Sequence, residues 1–137
     1  MTMFAARFAQ AAERLVGSPY RLHGRDPRTG IDCVGLVLEA MRAGGRKPID
    51  LPAYGLRNRT ISPFLVFADR NGFSPSSGGE ERGDLLLFAT GPAQHHLAIA
   101  LNAGAIAHAH AGLRKTIRQI PPETWTRIAR WRPREME

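Results

Sequence analysis

The chain has a single cysteine, fewer acidic than basic residues and no long apolar run in its 137 residues. A lone thiol cannot close an internal disulfide, which excludes the small secreted domains that disulfides hold together. No apolar run approaches the ~20 residues that cross a bilayer, and Arg7, Glu13 and Arg14 interrupt the stretch that a signal peptide keeps apolar. We expect one domain over residues 1–137, made in the cytoplasm without a signal peptide and without membrane insertion.

Basic residues outnumber acidic ones by 19 to 12, which gives a formal charge of +7. A basic stretch near the C-terminus fits a face that meets an anionic polymer, such as nucleic acid or cell wall, and fits a solvated basic surface equally well. The chain lacks zinc-finger spacing, a helix-turn-helix signal and interleaved aromatics, so no specific nucleic-acid recognition is predicted. The stretch comprises Arg114, Lys115, Arg118, Arg127, Arg130, Arg132 and Arg134.

Helical periodicity dominates the first half of the chain. Apolar residues recur at helical spacing from Phe4 to Val16 and from Val34 to Met41, and glycine follows each run. Ser62-Pro63 resembles an N-cap followed by proline at the first helical position, which predicts a short helix over Phe64–Arg70. Loops are expected over residues 20–31, around Pro48, Pro52 and Asn58, and over residues 73–81.

The apolar period changes from helical to two after residue 83, where short apolar runs alternate with turn residues. Helices first and strands afterwards indicate an α+β domain, with N-terminal helices packed on a small antiparallel sheet. The predicted strands cover residues 84–89, 96–101, 105–110, 115–120 and 126–131.

Cys33 follows Asp32 at the predicted start of the second helix, a position that favours a nucleophilic role. Unpaired backbone N–H groups and the helix macrodipole stabilise an anion there. We therefore expect the thiol pKa to fall from about 8.5 into the range of roughly 3.5 to 7.5. The alternative is that Cys33 packs in the helix as a small apolar residue.

A nucleophilic thiol needs a base within hydrogen-bonding distance and a group that orients the base. His96 and His108 lie on adjacent predicted strands and share a sheet face only if paired residue numbers have an even sum. A three-residue loop over 102–104, with Gly104 left-handed, gives a sum of 206 and brings both imidazoles to one face. A two-residue loop gives 207 and separates them, so the register decides the site.

A metal site is a second interpretation of the same histidines. His95, His96, His108 and His110 match no standard zinc spacing, and one thiol supplies little soft ligation. His95 and His110 are also alternatives to the two histidines chosen above.

Five blocks of sequence follow one another along residues 15–109. They are Leu15–Arg21, Gly30–Val37, Gly83–Phe88, His96–Leu101 and Ala105–Ala109. In this order they resemble the blocks of the NlpC-type cell-wall cysteine peptidases, and the short form is similar to members encoded with phage tails and phage-like particles. The chain departs from the family at Val34, where serine is usual, and at Ala98, where glycine is usual.

The resemblance implies a papain-like α+β fold with Cys33 as nucleophile, His96 as general base and acid, and His108 orienting His96. It also implies that Tyr20 and Asp32 contact the substrate, although Tyr20 also fits a turn aromatic and Asp32 a helix cap. The implied substrate is the peptidoglycan stem peptide, often cut after γ-D-glutamate, and no cofactor is required. The implied partners are phage-tail proteins, with action from a virion or phage-like particle tail in the periplasm or cell wall.

Three other functions are compatible with the sequence. A non-catalytic structural or wall-binding tail component would keep the fold without turnover. An acyl transferase or amidase would use the same thiol on a lipid or a different amide. A nucleic-acid binder would act through the basic ends and would not need Cys33.

Overall fold

The structure, a computed structural model, describes residues 2–51 and 60–135. The helices are α1 (Met3–Leu15), α2 (Cys33–Ala43) and α3 (Ser62–Arg70). Thr2 and Asp32 cap the first two helices, because each side chain accepts a hydrogen bond from the backbone N–H three residues later. Both predicted N-terminal helices are thereby confirmed. Within the described residues, no helix combines the length and hydropathy of a bilayer-spanning segment.

The third helix begins one residue earlier than its sequence indicates. Ile61 occupies the N-cap position without a side-chain hydrogen bond, and Ser62 and Pro63 already belong to the first turn. Proline is tolerated in that turn because its missing N–H has no acceptor within the helix. The predicted Ser62 cap is therefore wrong, while the predicted crossing at Pro52 and Asn58 lies outside the described residues.

The strands of the described residues form a two-stranded hairpin and a six-stranded antiparallel sheet. They are β1 (Arg25–Asp26), β2 (Gly30–Ile31), β3 (Phe73–Pro75), β4 (Leu85–Gly91), β5 (Gln94–Ala100), β6 (Ile106–His110), β7 (Lys115–Gln119) and β8 (Thr126–Pro133). The large sheet has the order β3-β8-β4-β5-β6-β7, which confirms all five predicted strands. The β1–β2 hairpin and β3 correct the two segments predicted as loops.

The helices cover one face of the six-stranded sheet. Phe8 of α1 and Leu36 of α2 share a fully buried cluster with Leu97 and Ile99 of β5. The opposite face carries a smaller apolar cluster, formed by Leu86, Phe88, Ala98, Ala100 and Ile106, with Trp125 packed against it. Since side chains alternate along a strand, His96 lies on the face of Ala98, and His108 lies on the face of Ile106.

Candidate active site

The start of α2 carries the candidate nucleophile. Asp32 is extended (φ −99°, ψ −168°), and its Oδ1 accepts from the Gly35 backbone N–H at 2.9 Å. This cap fixes Cys33 as the first helical residue, with a half-buried free thiol. The predicted position of Cys33 at a helix N-terminus is confirmed.

Asp32 also ties the preceding loop to α2. Asp32 is 1% exposed, and its carboxylate accepts from the His23 backbone N–H at 2.8 Å and from Arg25 Nη1 at 3.0 Å. Arg25 in turn makes two bonds of 2.9 Å with the carboxylate of Asp50. The structure therefore places Asp32 as a helix cap and ion-pair partner, with both carboxylate oxygens engaged by donors of the protein.

The loop approaches α2 closely because Gly35 has no side chain. A Cβ at Gly35 would lie 2.2 Å from the carbonyl oxygen of Gly24. Such a contact is far below van der Waals distance, so the loop that holds Arg25 can pack here only against glycine. The Gly35 position therefore sets how near the loop lies to Cys33.

The strands β5 and β6 bring the two histidines together. Ile99 pairs with Ala107 and Ala100 with Ile106, so paired numbers sum to 206 as the three-residue loop predicts. In that loop Ala103 (φ 56°) and Gly104 (φ 78°) are both left-handed. His96 Nε2 lies 3.0 Å from His108 Nδ1, and the rings meet edge to face.

Cys33 lies against the end of the β5–β6 ladder. The backbone amide of Leu97, the residue after His96, hydrogen-bonds to the Cys33 sulfur, and the backbone of Ala109 hydrogen-bonds to the His96 ring. Leu97 and Ala109 would face each other if the ladder continued in register, but its described pairs end at Ile99 and Ala107. The backbone groups of Leu97 and Ala109 thus hydrogen-bond to the thiol and to the imidazole, and not to each other across the two strands.

The protonation state of this site differs from the expectation of a lowered thiol pKa. Burial, and then the negative charge of Asp32, raise the pKa of Cys33 to about 12, against the lowering effect of the Leu97 and Val34 amides. Burial, and then the neighbouring His108, lower the pKa of His96 to about 3. The resting pair at neutral pH is consequently a neutral thiol and a neutral imidazole.

Two residues that the sequence reasoning missed support the histidine pair. Gln119 Oε1 lies 2.5 Å from His108 Nε2, and the Trp125 ring packs edge to face on both His96 and His108. Only the pairing of β6 with β7 brings Gln119 to His108. Trp125 follows Pro121-Pro122 outside any strand, so hydrophobic periodicity gave no signal for it.

Tyr20 lies near enough to Cys33 and Asp32 for their charges to act on its hydroxyl, and its implied contact with the substrate stays a prediction. Burial, and then the charges of Cys33 and Asp32, raise the pKa of Tyr20 to about 12, so its hydroxyl stays protonated and can donate. Tyr20 and Trp125 line a cleft of about 280 Å³ together with His96 and His108. The cleft gathers both histidines and both aromatic residues, whereas Cys33 is not among the residues that line it.

The other histidines of the cleft do not form a metal site. His95 and His110 line the same cleft, and His110 Nδ1 accepts from the Leu113 backbone N–H at 3.0 Å. Over residues 2–51 and 60–135, no group of three or more His, Cys, Asp or Glu is arranged to hold a metal ion.

Much of the basic C-terminal stretch is neutralised within the fold. Five of its seven residues form ion pairs, and three of these five lie on β8. The pairs are Arg118 with Glu13, Arg127 with Glu80, Arg130 and Arg132 with Asp84, and Arg134 with Asp69. The pairing favours a solvated surface over a face for an anionic polymer.

Comparison with known proteins gives one family. A model of the NlpC/P60 family matches residues 17–130. The NlpC/p60 domain of the peptidoglycan hydrolase SagA is 26% identical (TM-score 0.58), over 85% of this chain and 88% of that one. The P60 domain of antigen MAP1204 from M. avium subspecies paratuberculosis is 21% identical (TM-score 0.60), over 97% and 96%.

A longer structure shares the fold as well. NlpC1 from Trichomonas vaginalis is 18% identical (TM-score 0.71), and the match covers 94% of this chain but 44% of that one. The chain therefore spans less than half the length of that protein. No curated protein matches this chain. Together the structural matches confirm the papain-like α+β fold.

Proposed function

Because this chain belongs to the NlpC/P60 family, we propose that it is a cysteine peptidase that hydrolyses amide bonds in the stem peptides of peptidoglycan. The observation that carries the proposal is the contact of 3.0 Å between His96 and His108. Cys33 lies close to this pair along the chain of contacts, because its sulfur accepts from the backbone amide of Leu97, the residue after His96. A nucleophile, a base and a group that orients the base are the parts that acyl transfer needs. Likeness to the hydrolase SagA supports the substrate class.

The proposed reaction has two steps. Cys33 Sγ attacks the amide carbonyl carbon while its proton passes to His96, which then protonates the leaving amine as the C–N bond breaks. Water next attacks the thioester, gives a proton to His96, and releases the acid as the thiol recovers that proton. His108 accepts from His96 Nε2 and stabilises the positive charge that His96 carries between these transfers.

The oxyanion of each tetrahedral intermediate needs donors that are already in position. The Cys33 backbone N–H lies at the free start of α2, and the Tyr20 hydroxyl, protonated beside the thiol, is a second donor. Asp32 supports this arrangement by holding both the loop and the helix start. Its implied contact with the substrate stays a prediction, since the described contacts engage both carboxylate oxygens with the protein.

The finer parts of the proposal concern the bond and the place of action. From the sequence resemblance we propose cleavage after γ-D-glutamate, and action from a phage tail or phage-like particle on the cell wall. Mass spectrometry of the cleaved peptides identifies the bond. Detection of the chain in purified particles would support the proposed place of action, and its absence from them would refute it.

Digestion of synthetic stem peptides and purified sacculi tests the main proposal. New free amines should appear with the wild-type protein and vanish with Cys33→Ala and with His96→Ala. Gln10→Met, an exposed change on α1, is the control and should cleave normally. Cleavage that survives Cys33→Ala would refute the thiol mechanism. Alkylation of Cys33 that depends on His96, without cleavage across several stem chemistries, would refute the substrate and favour an acyl transfer to a different amide.

A further inference from the structure

We propose that Gln119 is a positioning residue, which fixes the tautomers of His108 and His96 so that His96 presents an unprotonated Nδ1 to Cys33. This inference rests on the proposed function, because it assigns how the base of that reaction is prepared. Its support is a chain of hydrogen bonds that runs from β7 through β6 to β5.

The strand register places Gln119 within reach of His108. On β7, Gln119 pairs with Ile106 and Ile117 pairs with His108, so the glutamine lies diagonally across from the histidine on one face. A diagonal neighbour is about 7–8 Å away at Cα, which a long side chain can span. Gln119 Oε1 accordingly lies 2.5 Å from His108 Nε2.

The amide of Gln119 has a defined orientation. Its Nε2 donates to the carbonyl oxygen of Ile120 at 3.4 Å, which leaves Oε1 toward His108. An amide oxygen only accepts hydrogen bonds, so His108 Nε2 must carry the proton of this contact. In a neutral imidazole the other nitrogen, Nδ1, is then an acceptor.

The same reasoning passes to the next ring. His108 Nδ1 accepts, so His96 Nε2, 3.0 Å away, must donate and carry the proton of the neutral ring. In the neutral ring His96 Nδ1 is left with a lone pair, while the hydrogen bond between the ring and the Ala109 backbone raises the pKa of His96 and so favours the ring once it has taken up a proton. Gln119 therefore sets the tautomer of His96, the base of the proposed reaction, through the ring of His108.

Burial makes this protein contact decisive. His108 is 1% exposed, and Trp125 packs on its ring at a centroid distance of 5.1 Å. Water therefore has little access to replace an acceptor at Nε2. Without Gln119, His108 can move its proton to Nδ1, and His96 must then keep its own proton on Nδ1, where it blocks proton transfer from Cys33.

Three substitutions separate the acceptor from the shape of the side chain. Gln119→Met keeps the length but removes the acceptor, and we expect kcat to fall about 10- to 100-fold with KM little changed. Gln119→Asn keeps the amide oxygen but on a side chain one methylene shorter, which cannot reach His108, so its kcat should fall as in Gln119→Met. Gln119→Glu restores an acceptor, should recover most of kcat, and should shift the acid limb of the pH profile upward because its charge favours protonated imidazole. Gln10→Met on α1 is the matched control.

Two measurements avoid dependence on the substrate. Long-range ¹H–¹⁵N NMR spectra of histidine-labelled protein report the tautomers directly, and the expected state is Nε2–H for both His96 and His108. Iodoacetamide alkylation reports Cys33 alone, since the chain has one cysteine. Alkylation at pH 7 should slow in Gln119→Met and recover in Gln119→Glu.

The outcomes distinguish this inference from the proposed function. An Nδ1–H tautomer of His108 in the wild type, or wild-type kcat and alkylation in Gln119→Met, would overturn the role of Gln119. Equal alkylation of the wild type and His96→Ala would overturn the proposed base. Expected tautomers and expected alkylation in a protein that cleaves no stem peptide would support Gln119 and reject only the substrate.

Discussion

Replacing Asp32 with asparagine should weaken the fold and make Cys33 more reactive at the same time. Asparagine keeps Oδ1 as an acceptor for the Gly35 N–H, so the helix cap survives. Its Nδ2 takes the place of Oδ2, however, and Nδ2 is a donor. The His23 backbone N–H therefore loses the acceptor to which it donates in the wild type. The substitution also removes the negative charge beside Arg25 and beside the thiol.

The expected loss of stability follows from these contacts. An N–H left without its acceptor costs about 1–3 kcal/mol, and the lost attraction between a carboxylate and a helix N-terminus adds about 0.3–1 kcal/mol. Arg25 keeps its paired bonds to Asp50, which limits the cost of the broken ion pair. We therefore expect Asp32→Asn to lower the free energy of unfolding by about 1–4 kcal/mol, and Asp32→Ala to lower it further by about 0.5–2 kcal/mol through loss of the cap.

The reactivity changes in the opposite direction. The charge of Asp32 contributes to the raised pKa of Cys33, so its removal lowers that pKa and increases the thiolate fraction at neutral pH. Urea unfolding followed by tryptophan fluorescence measures the first effect, and iodoacetamide alkylation in native buffer measures the second. Asp26→Asn, which affects only an exposed pair with Arg28, is the control and should cost less than about 1 kcal/mol. Alkylation of Asp32→Asn at or below the wild-type rate would refute the electrostatic reasoning.

Three further predictions concern the surroundings of the site. Trp125→Ala should lower stability by about 2–3 kcal/mol and raise the pKa of His96 and His108, because water then reaches both rings; NMR titration without a change in either pKa would contradict it. The free energy of unfolding should rise from pH 5 to 7, because the pKa values of His96 and His108 are depressed in the folded protein, whereas the unfolded chain binds protons at both rings below about pH 6.5. Urea midpoints measured across this range should rise less steeply with pH in His96→Gln than in the wild type. Gly35→Ala should cost at least about 1–3 kcal/mol in urea unfolding, since its Cβ meets the Gly24 carbonyl oxygen, and a wild-type midpoint would be evidence against the tight loop.

Local patterns were enough to predict the elements that carry the site. The spacing of Val34 and the apolar residues after it fixed α2, and the Asp32 cap placed Cys33 at its first position. Strand alternation left two registers open, and the observed sum of 206 is the one that brings His96 and His108 to one face. These predictions worked because helix period, capping and strand alternation are set by residues close in sequence.

Tertiary contacts decided the features that local patterns missed. Gln119 reaches His108 only through the pairing of β6 with β7, and Trp125 reaches both imidazoles from a connection without regular structure. The raised thiol pKa depends on how deeply α2 packs against β5, and burial outweighs the helix terminus. β3 was missed because its three residues gain their partners from β8, almost sixty residues later.

The charges around Cys33 have a consequence for the timing of proton transfer. The start of a helix offers about half a positive charge, but Asp32 places a full negative charge at the same end of α2, and the partial burial of Cys33 leaves less water to solvate a thiolate. The thiol and His96 therefore rest without charge, so in the proposed reaction the proton must move as the sulfur attacks a bound carbonyl. Because oxidants and alkylating agents react with the thiolate, the same arrangement makes the lone thiol slow to react until a substrate occupies the cleft.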